Sequence, residues 1–159
     1  MTSNWEAPSQ ILPHLFLGSY SCTHNKEELI KIGIKYILNL TDSPNLHPNS
    51  FIYLQCPVKD SSSEDILPLF EQVFNFIDQA SSNSACLIHC HMGVSRSPSF
   101  VLAYLIHKKE RNLRESYELL INARKHISPN FGFLQQLMAF EDSLFGNISI
   151  YFDQDIPFD

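Results

Sequence analysis

Through the first part of the chain, short apolar runs alternate with stretches of helical periodicity, and helical periodicity then dominates. Apolar and β-branched runs at residues 15–17, 36–40, 51–54 and 86–88 predict strands. The runs at 36–40 and 86–88 are continuously apolar, as expected of strands buried on both faces. Residues 25–32 form a short candidate helix. Over 66–80, Ile66, Phe70, Val73, Phe74 and Ile77 fall on one helical face. Asp65 is a candidate N-cap for that helix, with Pro68 in its first turn. Residues 97–108 read as a buried helix. Residues 112–125 open on Asn112 and Glu115, close to a capping box, and 130–145 open on Asn130 after Pro129. The pattern predicts an α/β fold, with a central, mostly parallel twisted sheet of about five strands covered by helices on both sides. No repeat or long linker interrupts it. The acidic and aromatic residues from Gly146 onward predict a weakly ordered tail, giving a domain over 1–146 and a tail over 147–159.

Composition narrows the function classes. A chain of 159 residues has the size of one domain, long enough to bury roughly 70% of its unfolded surface without disulfides or metal. The net charge of −6 argues against nucleic acid as the main partner. A local basic stretch (Lys108, Lys109, Arg111, Arg114, Arg124 and Lys125) holds six of the 11 Lys and Arg residues. It reads as solvated helix faces, or else as a surface that steers an acidic or phosphorylated partner. No apolar run reaches the length of a membrane span, and no signal peptide is evident. With four cysteines (Cys22, Cys56, Cys86 and Cys90), the expectation is reduced thiols in the cytoplasm, with the nucleus also open.

The segment from Ala85 to Tyr104 concentrates the chemistry: ACLIHCHMGVSRSPSFVLAY. It predicts a strand, a tight loop and a helix. Backbone N–H groups of such a loop converge on one concavity, and the helix start adds unpaired donors and the positive end of its dipole. Such a nest suits a tetrahedral oxyanion. Gly93 permits the unusual backbone of a tight loop, and Arg96 can fork two hydrogen bonds onto phosphate oxygens. Cys90 then lies at the floor of an electropositive cup. Thiols in such places titrate at roughly 3.5–7.5, so a thiolate nucleophile is expected. His89 and His91 flank Cys90, but metal-ligand spacing is missing elsewhere, so no metal or cofactor is expected.

These residues resemble the signature of the cysteine-dependent protein phosphatases, His-Cys-x5-Arg-Ser/Thr, and HCHMGVSRS looks most like the dual-specificity branch. The likeness extends along most of the chain. Ile11-Leu12-Pro13 with Leu15-Phe16-Leu17-Gly18 is similar to the family's opening strands, LIKIGIKYILNLT to its next helix and strand, and Ala103-Tyr104-Leu105 and Ser128-Pro129-Asn130 to its later helices. The resemblance implies that Cys90 attacks phosphorus and that Arg96 binds the phosphate and stabilises the transition state. Ser97 helps release the thiolate. His91, Met92, Gly93, Val94, Ser95 and Arg96 form the phosphate-binding loop (P-loop), and His89 orients it. Asn130 caps the last helix and braces the loop. The general acid implied is Asp60, with Glu64 and Asp65 as rivals. Cys56 and Cys86 read as core residues, and either is a lesser candidate to trap an oxidised Cys90 as a disulfide.

Dual specificity implies phosphotyrosine and phosphoserine or phosphothreonine in proteins as substrates. The chain carries no long N-terminal recognition or docking segment, so a shallow pocket and a catalytic domain standing alone, as a monomer, are expected. Positions 91–95 lack Lys and Arg, which argues against a lipid substrate or an RNA 5′-triphosphate. A phosphate-binding pseudoenzyme or scaffold, or a phosphatase acting on a non-protein phosphate ester, is the alternative, and the presence of both Cys90 and Asp60 favours the enzyme over the scaffold.

Overall fold

A computed structural model describes residues 5–80, 83–108 and 110–152. Its strands are β1 (Ser9–Leu12), β2 (Leu15–Gly18), β3 (Ile34–Asn39), β4 (Ile52–Gln55) and β5 (Ala85–His89). They form one sheet in the order β1-β2-β5-β3-β4. β1 runs antiparallel to β2, and the pairs β2–β5, β5–β3 and β3–β4 are parallel. The helices are α1 (Lys26–Lys31), α2 (Phe70–Asp78), α3 (Arg96–His107), α4 (Leu113–Ala123) and α5 (Phe131–Phe145).

Side-chain alternation explains why the strands look apolar throughout. Leu15, Leu17, Leu38, Cys86 and Ile88 point into the larger core, under α2 to α5. Phe16, Ile37, Leu87 and Ala85 point the other way, into a smaller core closed by Leu29 of α1, Phe51 and Trp5. Both faces are therefore covered, unequally. β5 is central: Ile88 pairs with Leu17 on one side and Leu38 on the other, and His89 with Gly18 and Asn39. The loop that follows β5 thus leaves the carboxyl edge of the sheet between two strand ends, where α/β sheets place their sites.

Helix boundaries follow their caps. Asn25 accepts from the Glu28 N–H at the start of α1, and Asn112 and Glu115 form the expected capping box at α4. Asn130 accepts from the Phe133 N–H and starts α5. Asp65 does not cap α2. Gln136 of α5 accepts from the N–H groups of Ile66 and Leu67 at 2.8 and 3.3 Å, and a 3-10 turn over Leu67–Leu69 leads into the helix. A donor-satisfying group from another element has replaced the local cap.

The expected tail also needs correction over its first residues. Glu141, buried in α5, accepts from the Leu113 N–H at 2.7 Å and from the Ser149 N–H at 2.8 Å, and also from the Ser149 hydroxyl. Arg114 donates to the Ser149 carbonyl at 2.9 Å, and buried Phe152 packs on Tyr117 with ring centres 5.1 Å apart. Residues 147–152 are thereby docked on α4 and α5. Residues 153–159 of the expected tail, including Phe158, lie outside the described residues.

Candidate active site

Residues 90–95 form the loop between β5 and α3, and the whole expected constellation meets around it. Cys90 is only 2% exposed, so its thiol sits at the bottom of the site. The Ser97 hydroxyl lies 3.1 Å from Cys90 Sγ, and the Gly93 N–H donates to the same sulfur at 3.3 Å. Ser97 also donates to the Gly18 carbonyl at 3.4 Å, which fixes it between the sulfur and the end of β2. Gly93 has φ +69°, in the left-handed region that glycine enters without strain. His91 and Met92 form the exposed lip of the loop, whereas Gly93 and Ser95 are buried and Val94 is half-buried.

His89, at the end of β5, is 1% exposed, and its Nδ1 lies 3.2 Å from the Cys90 carbonyl. Burial pushes its pKa down to about 4, so the ring is neutral near pH 7 and donates to that carbonyl when its proton is on Nδ1. Tyr20 leans on the rings of His89 and His91, and its N–H donates to the His91 carbonyl at 3.0 Å. No sequence signal marked Tyr20.

The acid loop approaches from beyond β4. Arg96 Nη1 donates to the Val58 carbonyl at 3.1 Å, tying the arginine of the phosphate loop to the strand exit that carries Asp60. The side-chain amide of Asn130 donates to Asp60 Oδ1 at 2.9 Å, while the Asn130 N–H donates to the Ser95 hydroxyl at 2.9 Å. Asn130 therefore spans Asp60, the phosphate loop and the start of α5. Of the rival acids, Glu64 accepts from the Lys59 N–H at 3.0 Å and so shapes the loop, and Asp65 lies exposed. Gln136 donates to the Glu64 carbonyl at 2.8 Å. Gly132 lets α5 approach this loop closely, because a Cβ there would strike the Ser62 backbone. A cavity of about 350 Å³ opens beside Arg96, lined by Asp42, Pro57, Val58, Lys59 and Glu64.

Three further thiols stand apart from this chemistry. Burial pushes Cys22, Cys56 and Cys86 up from the ordinary thiol value, Cys86 well up, which keeps them protonated. Among the described residues, no group of three or more His, Cys, Asp or Glu is placed to hold a metal ion. Nor is any described helix long and apolar enough to cross a membrane. The basic stretch does not form one open face. Lys108 pairs with Asp78 at 2.8 Å, Arg114 binds the docked tail, and Arg124 turns inward to the phosphate loop. Lys109 lies outside the described residues.

Comparison with known proteins agrees with this geometry. The family "Dual specificity phosphatase, catalytic domain" matches residues 15–143. Human dual specificity protein phosphatase 9 is 45% identical over 144 residues, which is 86% of this chain and 37% of that protein. The chain thus spans little more than a third of the length of this curated relative. Among solved structures, human DUSP28 superposes with a TM-score of 0.81 at 30% identity, covering 86% of this chain and 96% of that one. A mouse putative dual specificity phosphatase complexed with zinc tungstate gives 0.82, at 29% identity, covering 91% and 93%. A strand–loop–helix that buries a cysteine beside a serine, an arginine tied to the Val58 carbonyl and a match through residues 15–143 lead to one assignment: this chain belongs to the dual specificity phosphatase family.

Proposed function

We propose that the chain hydrolyses phosphate monoesters on protein side chains through a phosphocysteine intermediate. The observation that carries this reading is the Cys90 sulfur, held at 3.1 Å from the Ser97 hydroxyl and 3.3 Å from the Gly93 N–H. Cys90 Sγ, as thiolate, attacks phosphorus while the bond to the leaving oxygen breaks. Arg96 and the inward N–H groups of the loop take up the charge that develops on the phosphoryl oxygens. Asp60 passes its proton to the leaving alkoxide or phenoxide. Water then attacks the phosphocysteine, giving its proton to Asp60. The P–S bond breaks, and the electron pair returns to sulfur, where Ser97 donates a hydrogen bond to the reforming thiolate. His89 and Asn130 hold the loop, and Asn130 also holds Asp60. No step needs a metal.

The substrates proposed are phosphotyrosine and phosphoserine or phosphothreonine in proteins, rather than nucleic acid or membrane lipid. The net charge of −6 and the lack of Lys and Arg at 91–95 support this choice. The reading extends to a catalytic unit over 1–146 acting as a monomer in the cytoplasm or nucleus, where its four free thiols stay reduced. The test is hydrolysis of an aryl phosphate, a phosphotyrosine peptide and a phosphothreonine peptide by the wild type, Cys90→Ser and Asp60→Ala. We expect an inactive Cys90→Ser and an Asp60→Ala that is slowed most on the peptides. A reduced wild type that binds phosphate yet hydrolyses none of the three would make the protein a phosphate-binding scaffold instead.

A further inference from the structure

The six carbonyl groups of residues 90–95 each face a donor group. The His91 carbonyl accepts from the Tyr20 N–H at 3.0 Å, and the Val94 carbonyl from the Ser128 N–H at 2.7 Å. The Cys90 carbonyl faces His89 Nδ1, and the Ser95 carbonyl takes the first helical bond of α3, from the Ser99 N–H at 3.2 Å. The other two both belong to Arg124, just beyond α4. Its Nε donates to the Gly93 carbonyl at 2.9 Å and its Nη2 to the Met92 carbonyl at 3.2 Å. The Arg124 side chain is only 14% exposed, and a Cβ on Gly93 would lie 2.5 Å from its Nη2. Its outer edge is fixed in turn by the Glu6 carboxylate at 2.8 Å and the Ser9 hydroxyl at 3.3 Å.

We propose that Arg124 is a positioning residue for oxyanion binding, acting from behind the phosphate loop. In a trans peptide the carbonyl of one residue and the N–H of the next point in opposite directions. Drawing the Met92 and Gly93 carbonyls outward therefore turns the N–H groups of Gly93 and Val94 inward. One of these already shows that orientation, since the Gly93 N–H reaches Cys90 Sγ at 3.3 Å. A neutral donor at 124 would hold the carbonyls more weakly, and a lysine ammonium cannot reproduce the planar fork. The inference rests on the reading of this loop as the phosphate site, but not on turnover.

Titration of the full chain with inorganic phosphate, followed through the amide resonances of Gly93 and Val94, tests it on the wild type, Arg124→Lys and Arg124→Met. The thermal midpoint and the separate values of kcat and KM are measured alongside. We expect Arg124→Met to lose about tenfold or more in phosphate affinity and in kcat/KM, with smaller Gly93 and Val94 shifts at saturation, and Arg124→Lys to fall between. If Arg124→Met does not fold, Arg124→Lys decides alone. Wild-type phosphate affinity in a folded variant, even one with a lowered thermal midpoint, would mean that Arg124 serves stability only, and the proposal would be wrong. A wild type that binds phosphate in this manner without hydrolysing any ester would overturn the proposed function and leave the role of Arg124 standing.

Discussion

His89 shows how one buried side chain ties the site to the stability of the fold. It is enclosed at the end of the central strand, and burial lowers its pKa to about 4, against an ordinary histidine value of 6.5. Between those two values the unfolded chain holds a proton that the folded chain does not. Stability must therefore fall as pH drops from 6.5 toward 4 and level off below, with the contribution of His89 fully intact above 6.5. We expect the urea midpoint of the wild type to decline over that window more steeply than that of His89→Gln. His14 and Asp78, whose values are also lowered, titrate in both proteins, so the difference isolates His89. Equal slopes would show that His89 is not carried neutral into the folded state. The candidate residues Cys90, Gly93, Arg96 and Ser97 were legible in the sequence because they fall within one short segment, the β5–α3 loop and the first residues of α3. Arg124 was not: its position in a run of basic residues suggested a solvated face, and only the tertiary approach of α4 to the loop shows its inward bonds.

Among the elements, α5 holds the segment that carries Asp60. Its N-cap and first two turns supply Asn130 to Asp60, Gly132 to the backbone of Ser62, and Gln136 to Glu64, Ile66 and Leu67. Asp60, the proposed acid, is thus held by a helix that begins far from it in sequence. Asn130→Ser keeps an N-cap, so little stability should be lost, yet it removes the donor to Asp60. We expect kcat on phosphothreonine peptide, whose alkoxide needs a proton, to fall by about tenfold or more, while an aryl phosphate with an acidic leaving group is nearly unaffected. Equal losses on both substrates would contradict a positioning role for Asn130 toward the acid. Gly132→Ala, which pushes the acid loop outward, should show the same split. The strands and helices expected from apolar periodicity are present, and most of them bury the apolar face that set the pattern. β1 pairs only at the sheet edge, and its four residues Ser9–Leu12 carry little alternation, so only the family likeness suggested it. Asp65 looked like a cap on local grounds, but Gln136, distant in sequence, satisfies those N–H groups instead.

At the scale of the whole molecule, a second buried anchor lies away from Cys90. Glu141 joins α5, the start of α4 and the docked residues 147–152, on the side of the structure that holds Tyr117 and Phe152 rather than Cys90. Glu141→Ala leaves the buried N–H groups it served without a partner, and we expect a loss of roughly 3 kcal/mol in unfolding free energy. At temperatures where that variant stays folded, kcat on aryl phosphate should match the wild type. A variant of wild-type stability would show that this carboxylate does not hold the tail. The tail's docking was not legible in its acidic and aromatic composition, because the partner that satisfies Ser149 is a buried carboxylate on another element. In the proposed reaction the phosphoryl group passes through Cys90. Acid quenching of the enzyme during turnover, followed by mass analysis of its peptides, tests this most directly. We expect one phosphoryl group on the peptide containing Cys90, more of it when Asp60→Ala slows its hydrolysis, and none in Cys90→Ser. Turnover with no phosphoryl group on Cys90 in either the wild type or Asp60→Ala, or with full activity in Cys90→Ser, would rule out a phosphocysteine intermediate.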